Sequence, residues 1–171
     1  AGYHPGRFPW GRQVEKTVKF EQFKFLRQRL LEKAHQGADQ EFSGSPERLH
    51  PLVLAYIGDA FFALYIRTRL LTGEQVKVRV MHSWSAQMVS ATVQAAALRC
   101  IEPELSLAEM EIVRRGRNTK STVPKSASVA DYRASTGFEA LLGYLYVKGD
   151  YERLSEIAAN AFDTISREMT K

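Results

Sequence analysis

From position 51 to position 71 the chain reads PLVLAYIGDAFFALYIRTRLL, a run apolar nearly all the way round a helical wheel and holding one acid, Asp59. A helix at the surface of a globular domain buries one stripe and wets the other, so a helix apolar on every side belongs at the centre of a bundle. The rest of the chain supplies helices to surround it. Residues 14–36 place Val18, Phe23, Leu26, Leu30 and Ala34 at helical spacing with Lys and Arg between them, and Gly37 is a plausible stop; Gly73 closes the central run. Residues 76–100 predict one long helix with Met81, Trp84, Met88, Val89, Thr92, Ala95 and Ala96 on one side, followed by Pro103. Ser106 with Glu109 is a capping-box pattern opening a short helix to Arg115, with Gly116 as its stop. Ser128 with Asp131 opens a helix that continues to Lys148 and ends at Gly149. Asp150 caps a last helix to about Met169, striped by Leu154, Ile157, Ala158, Ala161, Phe162 and Ile165. No alternating strand pattern and no repeat appears, so the expected class is all-α.

Residues 1–13 combine three Gly and two Pro with aromatics, which predicts an extended arm, and 37–47 read as a linker. The expected division is therefore an N-terminal arm and accessory amphipathic helix over 1–48, and a helical domain over 49–171. A chain of 171 residues is long enough for a hydrophobic core without covalent staples. The single cysteine, Cys100, forms no internal bridge and is expected to pack at the end of an apolar helix. The first 50 residues hold no signal-peptide-like apolar core, and the apolar stretch 51–66 falls short of the roughly 20 residues of a bilayer span. The expectation is a soluble, cytoplasmic protein with no membrane contact. A formal net charge of +5 favours an anionic partner without identifying one.

Two features carry chemistry. Asp59 and Glu139, the latter in ASTGFEALLGYLYVKG, are each the lone acid of an apolar helical run, 80 positions apart. A buried lone carboxylate costs several kcal/mol unless it is protonated, paired or bound to a metal. Ala55, Asp59, Phe62 and Ile66 share one helix face, as do Thr136, Glu139, Leu142 and Gly143. Gly58, Gly137 and Gly143 would each cost about 1 kcal/mol in an ordinary helix interior. As small residues they let two helices approach closely, and a crossing there brings both carboxylates to one Mg²⁺, an ion commonly held by one or two carboxylates plus substrate phosphate. The plainer alternative is that each acid pairs with a buried Arg or caps a helix.

Between the acids lies RRGRNTKSTVPK, with five Lys or Arg and no acid. Arg114, Arg115, Arg117, Lys120 and Lys125 alternate with Gly116, Asn118, Thr119, Ser121 and Thr122, whose amides and short side chains suit phosphate oxygens. Its plainer alternative is a solvated charged face. No general base stands out: His82 sits on the second long helix, and His4, His35 and His50 lack metal-ligand spacing.

The segment LAYIGDAFFALYIRTRLL resembles the signature helix of the ribonuclease III endonuclease domain, and STGFEALLGYLY resembles its second acidic motif. RRGRNTKSTVPKSASVADYRASTGFEALLGYL is similar to Mini-ribonuclease III, the short bacterial class without a double-stranded-RNA-binding domain. The likeness covers about residues 52–159. It implies a ribonuclease III-like helical bundle acting as a homodimer that cuts double-stranded RNA with Mg²⁺, Mn²⁺ being able to substitute, and leaves 5′-phosphate and 3′-hydroxyl ends. Asp59 and Glu139 stand where the family has its invariant metal-binding, catalytic acids. Arg114, Arg115, Arg117, Asn118, Lys120 and Lys125 become the expected RNA contacts. Ala55 and Thr136 stand where full-length ribonuclease III has two further carboxylates, a reduction the Mini class generally shares; Thr136 is a candidate for holding a water on the ion. The implied substrate is precursor large-subunit (23S) ribosomal RNA, with a ribosomal protein or preribosome contact. The competing reading is a non-catalytic ribonuclease III-like protein that binds structured RNA or ribosomal precursors, and a weaker third is a helical scaffold. Tyr56, Phe61, Phe62 and Tyr65 read as core, and a two-fold dimer would bury what apolar surface the signature helix has in surplus.

Overall fold

The computed structural model of the protein describes residues 20–36, 42–71 and 76–171. The expected arm at 1–13 and the stops at Gly37 and Gly73 lie outside the described residues. Among those described, every regular element is helical: α1 (Phe20–Gln36), α2 (Pro51–Arg69), α3 (Val78–Met88), α4 (Ala91–Ile101), α5 (Leu107–Asn118), α6 (Val129–Lys148) and α7 (Tyr151–Met169), with 3₁₀ turns at Pro46–Arg48 and Glu102–Glu104. The chain divides between Ser43 and Gly44 into two compact units. In the first, α1 is amphipathic, with Phe25, Leu26, Leu30 and Leu31 exposed along it. The second begins ahead of the boundary expected at 48 because Arg115 donates to the carbonyls of Glu47 and Leu49, and the Tyr144 hydroxyl to Glu47.

The helix at the centre of this unit is α6, not α2. Eleven of its residues are buried, in two nearly unbroken stretches from Ala134 to Leu145, and α2, α4, α5 and α7 all pack on it. Six residues of α2 are buried, and Val53, Tyr56 and Leu64 on its other side face solvent. Tyr56 therefore lies outside the core in which sequence reading puts it; Phe62 is fully buried, while Phe61 and Tyr65 are half-buried at its margin.

Helix ends follow local chemistry. The His50 Nδ1 accepts from Leu52 N to open α2, and Pro51 occupies its first turn. Ser106 and Glu109 form the expected capping box of α5, and Ser128 and Asp150 cap α6 and α7. Gly149 ends α6 at φ 79, a left-handed conformation that favours glycine. Three expectations are corrected. The helix predicted over 76–100 is two helices, because Ser90 takes an extended conformation (ψ 152) as the N-cap of α4. α5 runs through Gly116 to Asn118, since Gly116 is buried against Gly137 instead of capping. Cys100 is exposed, because Leu98 and Ile101 take the buried side of α4's last turns.

Candidate active site

Helices α2 and α6 cross with their backbones in contact. A Cβ placed on Gly58 would lie 1.8 Å from the Glu139 carbonyl oxygen, and one on Gly143 would lie 1.8 Å from the Leu54 carbonyl oxygen. Beside this crossing Phe62 meets the Phe138 ring edge-on at 5.1 Å. Of the three glycines expected at the crossing, Gly137 does a different job: it faces Val113, Gly116 and Arg117 of α5 and lets that helix approach closely, though less so than α2.

The crossing places Asp59 and Glu139 on one another's electrostatic horizon. Glu139 is half-buried and Asp59 exposed as whole residues, and the Glu139 carboxyl is the more enclosed of the two. Burial, followed by the charge of Asp59, pushes the Glu139 carboxyl up to about 8, and a hydrogen-bonding interaction with the Gln94 side chain offsets part of that rise. Partial burial also raises the Asp59 carboxyl above its ordinary value. Among the described residues neither acid forms an ion pair or caps a helix. Ion pairing with arginine, the plainer alternative for both, does not occur there. Two like-charged groups near each other with no cation between them have two ways out: one holds a proton, or a positive ligand arrives.

Sequence reading missed Gln94. It is fully buried, its Nε2 donates to the Val89 carbonyl at 3.1 Å, and its Oε1 has no hydrogen-bond partner. An unsatisfied buried acceptor costs about 1–3 kcal/mol. The signal was present in ATVQAAALRCI, where Gln94 is a long polar side chain in mid-helix, followed by three alanines and a leucine. Ala55 and Thr136, one turn before the two acids, are buried; the Thr136 hydroxyl donates to the Tyr132 carbonyl at 3.0 Å, back along its own helix. His50 caps α2, His82 is exposed, and no group of three His, Cys, Asp or Glu is placed to hold an ion among the described residues.

The basic segment spans the last turns of α5 and the loop after it, and its members divide. Arg115 ties down the residues before α2. Arg117 pairs with Glu102 at 2.8 Å while its stem packs at Gly137. Arg114 pairs with Glu111 at 2.6 Å but is exposed. Asn118, Lys120 and Lys125 are exposed, and neither lysine forms an ion pair among the described residues.

Residues 52–150 match the sequence model of the Ribonuclease III domain. The chain is 50% identical over 124 residues to Mini-ribonuclease 3 of Symbiobacterium thermophilum, spanning 72% of this chain and 95% of that one. It is 51% identical over 110 residues to Mini-ribonuclease 3 of a Thermoanaerobacter species, spanning 64% and 78%. Its fold is similar to the crystal structure of a protein from Fusobacterium nucleatum, with a TM-score of 0.62 at 27% identity over 68% of this chain and 93% of the other.

Proposed function

The chain belongs to the ribonuclease III family, in its Mini-ribonuclease III class, and from that premise we propose that it is a Mg²⁺-dependent endonuclease of double-stranded RNA whose ion is held by Asp59 and Glu139. The observation that carries the reading is the glycine crossing of α2 and α6, which puts these two carboxylates within each other's field. The donor set fits the ion. Two carboxylates are hard oxygen groups, and Mg²⁺ takes oxygen ligands while keeping several waters, so it needs no three-acid cluster. Mn²⁺ fits the same donors. When bound, the ion lowers the pKa of a water and offsets negative charge on the scissile phosphate.

The protein's own residues supply the rest. Asp59 and Glu139 hold and orient, and are not nucleophiles; hydrolysis leaves 5′-phosphate and 3′-hydroxyl ends. Lys120, Lys125, Asn118 and Arg114, on the exposed side of the basic segment, contact phosphates, whereas Arg115 and Arg117 hold the segment in place. A-form RNA is recognised through shape, phosphates and 2′-hydroxyls, which suits such a surface. Helix α2 has the length and composition of a membrane-crossing helix, but its glycine face is occupied by α6. Its exposed stripe of Val53, Tyr56 and Leu64 is the surface a second copy covers, giving a homodimer with one acid pair for each RNA strand. The RNA we assign is precursor 23S ribosomal RNA in the cytoplasm, in contact with the preribosome or one of its proteins, as the family resemblance implies.

Incubation of the protein with long double-stranded RNA, in Mg²⁺ or in EDTA, tests this beside Asp59→Asn and Glu139→Gln. Cleavage is expected only with the ion, and each variant is expected to lose at least about 100-fold in rate with fold intact, the scale of removing one preorganised transition-state group. Binding without cleavage by the unsubstituted protein at every metal concentration would replace this reading with the non-catalytic one, which Ala55 and Thr136 favour.

A further inference from the structure

The charge of the chain is divided unevenly. Residues 1–36 hold eight Lys or Arg against three acids, whereas residues 37–171 hold 16 of each, so the whole net charge of +5 lies ahead of the catalytic unit. In residues 44–171, six of the Lys and Arg are also tied into ion pairs among the described residues. A stretch balanced in this way draws weakly on a polyanion, because the sequence-independent part of nucleic-acid affinity comes from Lys and Arg that displace counterions from phosphates. The described part of the basic stretch is α1, which lies outside the residues that match the Ribonuclease III domain. Residues 24–36 are all exposed. Arg27, Arg29 and Lys33 form no ion pair among the described residues, and Glu32, the acid beside them, accepts instead from the Gln28 side chain at 3.0 Å.

The placement of these cations decides what they meet. Positions 27, 30, 31 and 34 share one helix face, so Arg27 stands among Leu30, Leu31 and Ala34 and interrupts the apolar stripe. Phe25, Arg29 and Lys33 follow one another at intervals of four along another face, with the Arg29 guanidinium over the Phe25 ring at 5.6 Å. A helix that lies in a bilayer interface or packs on a protein core keeps its cations off its apolar face, and α1 does not. Cations spread over two faces suit a polyanion. We propose that α1 is a second RNA-binding element, in which Arg27, Arg29 and Lys33 contact backbone phosphates of the duplex on which the acid pair acts, a role that rests on the reading of the substrate as double-stranded RNA and not on its cleavage. Being covalently joined to the catalytic unit, α1 raises that unit's local concentration on the RNA. Phosphate contacts position a protein without reading sequence, so the element adds affinity for any duplex and no preference among sequences.

Binding of a fluorescent RNA duplex is measured against salt concentration, in EDTA, for the whole chain and for the triple variant Arg27→Gln, Arg29→Gln, Lys33→Gln, in which glutamine keeps a good helix propensity. Loss of three phosphate contacts is expected to flatten the slope of log K against log salt by about three and to weaken binding at least about 10-fold near 0.1 M salt. In Mg²⁺ the KM for duplex RNA should rise by a similar factor while kcat at saturating RNA stays the same. The charge-keeping pair Arg27→Lys with Arg29→Lys is expected to retain the slope; a loss as large as that of the triple variant would show that α1 acts through its shape and not its charge, and would overturn the proposal. So would a triple variant whose slope and affinity match those of the unsubstituted protein, whether or not that protein cuts. Vesicles of phosphatidylglycerol provide the remaining arm: if the unsubstituted protein binds them and the triple variant loses the vesicles but keeps the RNA, α1 is a membrane element and the RNA role is gone. An unsubstituted protein that binds duplex RNA with the full slope, loses it in the triple variant and never cuts ends the nuclease reading and leaves the role of α1 standing.

Discussion

Glu139 makes the fold and the site compete for one proton. Its carboxyl sits at about 8 in the metal-free fold against an ordinary 4.5, so between those values the folded protein holds a proton that the unfolded chain has released. Stability from this group is present in full below pH 4.5, falls as pH rises through the window and is level above about 8. Asp59 is shifted in the same direction. Glu109 is shifted the other way, chiefly by its hydrogen bond from Arg153, so its effect is confined below 4.5, outside the window. In EDTA, urea unfolding is therefore expected to show stability falling from pH 5 to pH 9 by at least about 1.4 kcal/mol, the linkage of one pKa unit. Glu139→Gln should remove most of that slope, and Mg²⁺ should oppose it because the ion binds the deprotonated form. An unchanged slope in Glu139→Gln would place the proton elsewhere. Asp59 and Glu139 were legible in the sequence because a lone acid in an apolar run violates the burial rule. Gln94 breaks the same rule more quietly, since an uncharged amide carries a smaller penalty.

At the scale of elements, the site is a consequence of two glycine contacts that fix where α6 runs. Gly58 and Gly143 let α2 touch α6, and Gly116 and Gly137 do the same for α5. A methyl group at 143 has no free volume, and the atom it meets is backbone, which moves only if the helix does. Gly143→Ala is accordingly expected to lose about 3 kcal/mol or more in urea unfolding, the upper end of overpacking costs, and to lose RNA cleavage in whatever fraction remains folded. Gly149→Ala gives the contrast: nothing lies within 4 Å of the added carbon, and only the left-handed backbone is penalised, so a loss of about 1–2 kcal/mol is expected with cleavage retained. Equal losses at the two positions would mean that the α2–α6 crossing is looser than its contacts describe. Caps at Ser106, Ser128, Asp150 and Gly149 could be read from the chain because their chemistry is local. The break at Ser90 could not, because apolar residues keep their helical spacing across it. Gly116 was misread for a related reason: a glycine near a helix end looks the same whether it caps the helix or admits a neighbour.

For the whole molecule, the decisive fact is that α2 remains half uncovered. Val53, Tyr56 and Leu64 are 48%, 59% and 66% exposed and fall near one line along the helix, opposite the face that α6 covers. The sequence pattern asked for a helix enclosed on all sides, and among the described residues that demand is met chiefly by α6, with smaller contacts from α3, α5 and α7. The proposed dimer supplies α2 with its missing neighbour. In a two-fold interface each substitution is present twice, and burying a large apolar side chain contributes about 1.5–3 kcal/mol. Tyr56→Glu with Leu64→Glu is therefore expected to weaken self-association at least about 100-fold, giving a monomer by sedimentation velocity with its helical content intact. Because Asp59 and Glu139 both come from one chain, that monomer is expected to keep the acid pair and the proposed Mn²⁺ binding. It loses the second pair facing the other strand, so on duplex RNA it should leave single-strand nicks where the dimer leaves double-strand cuts. A doubly substituted protein that sediments as the unsubstituted one does would remove α2 from the interface, and double-strand cutting by a proven monomer would separate catalysis from dimerisation altogether.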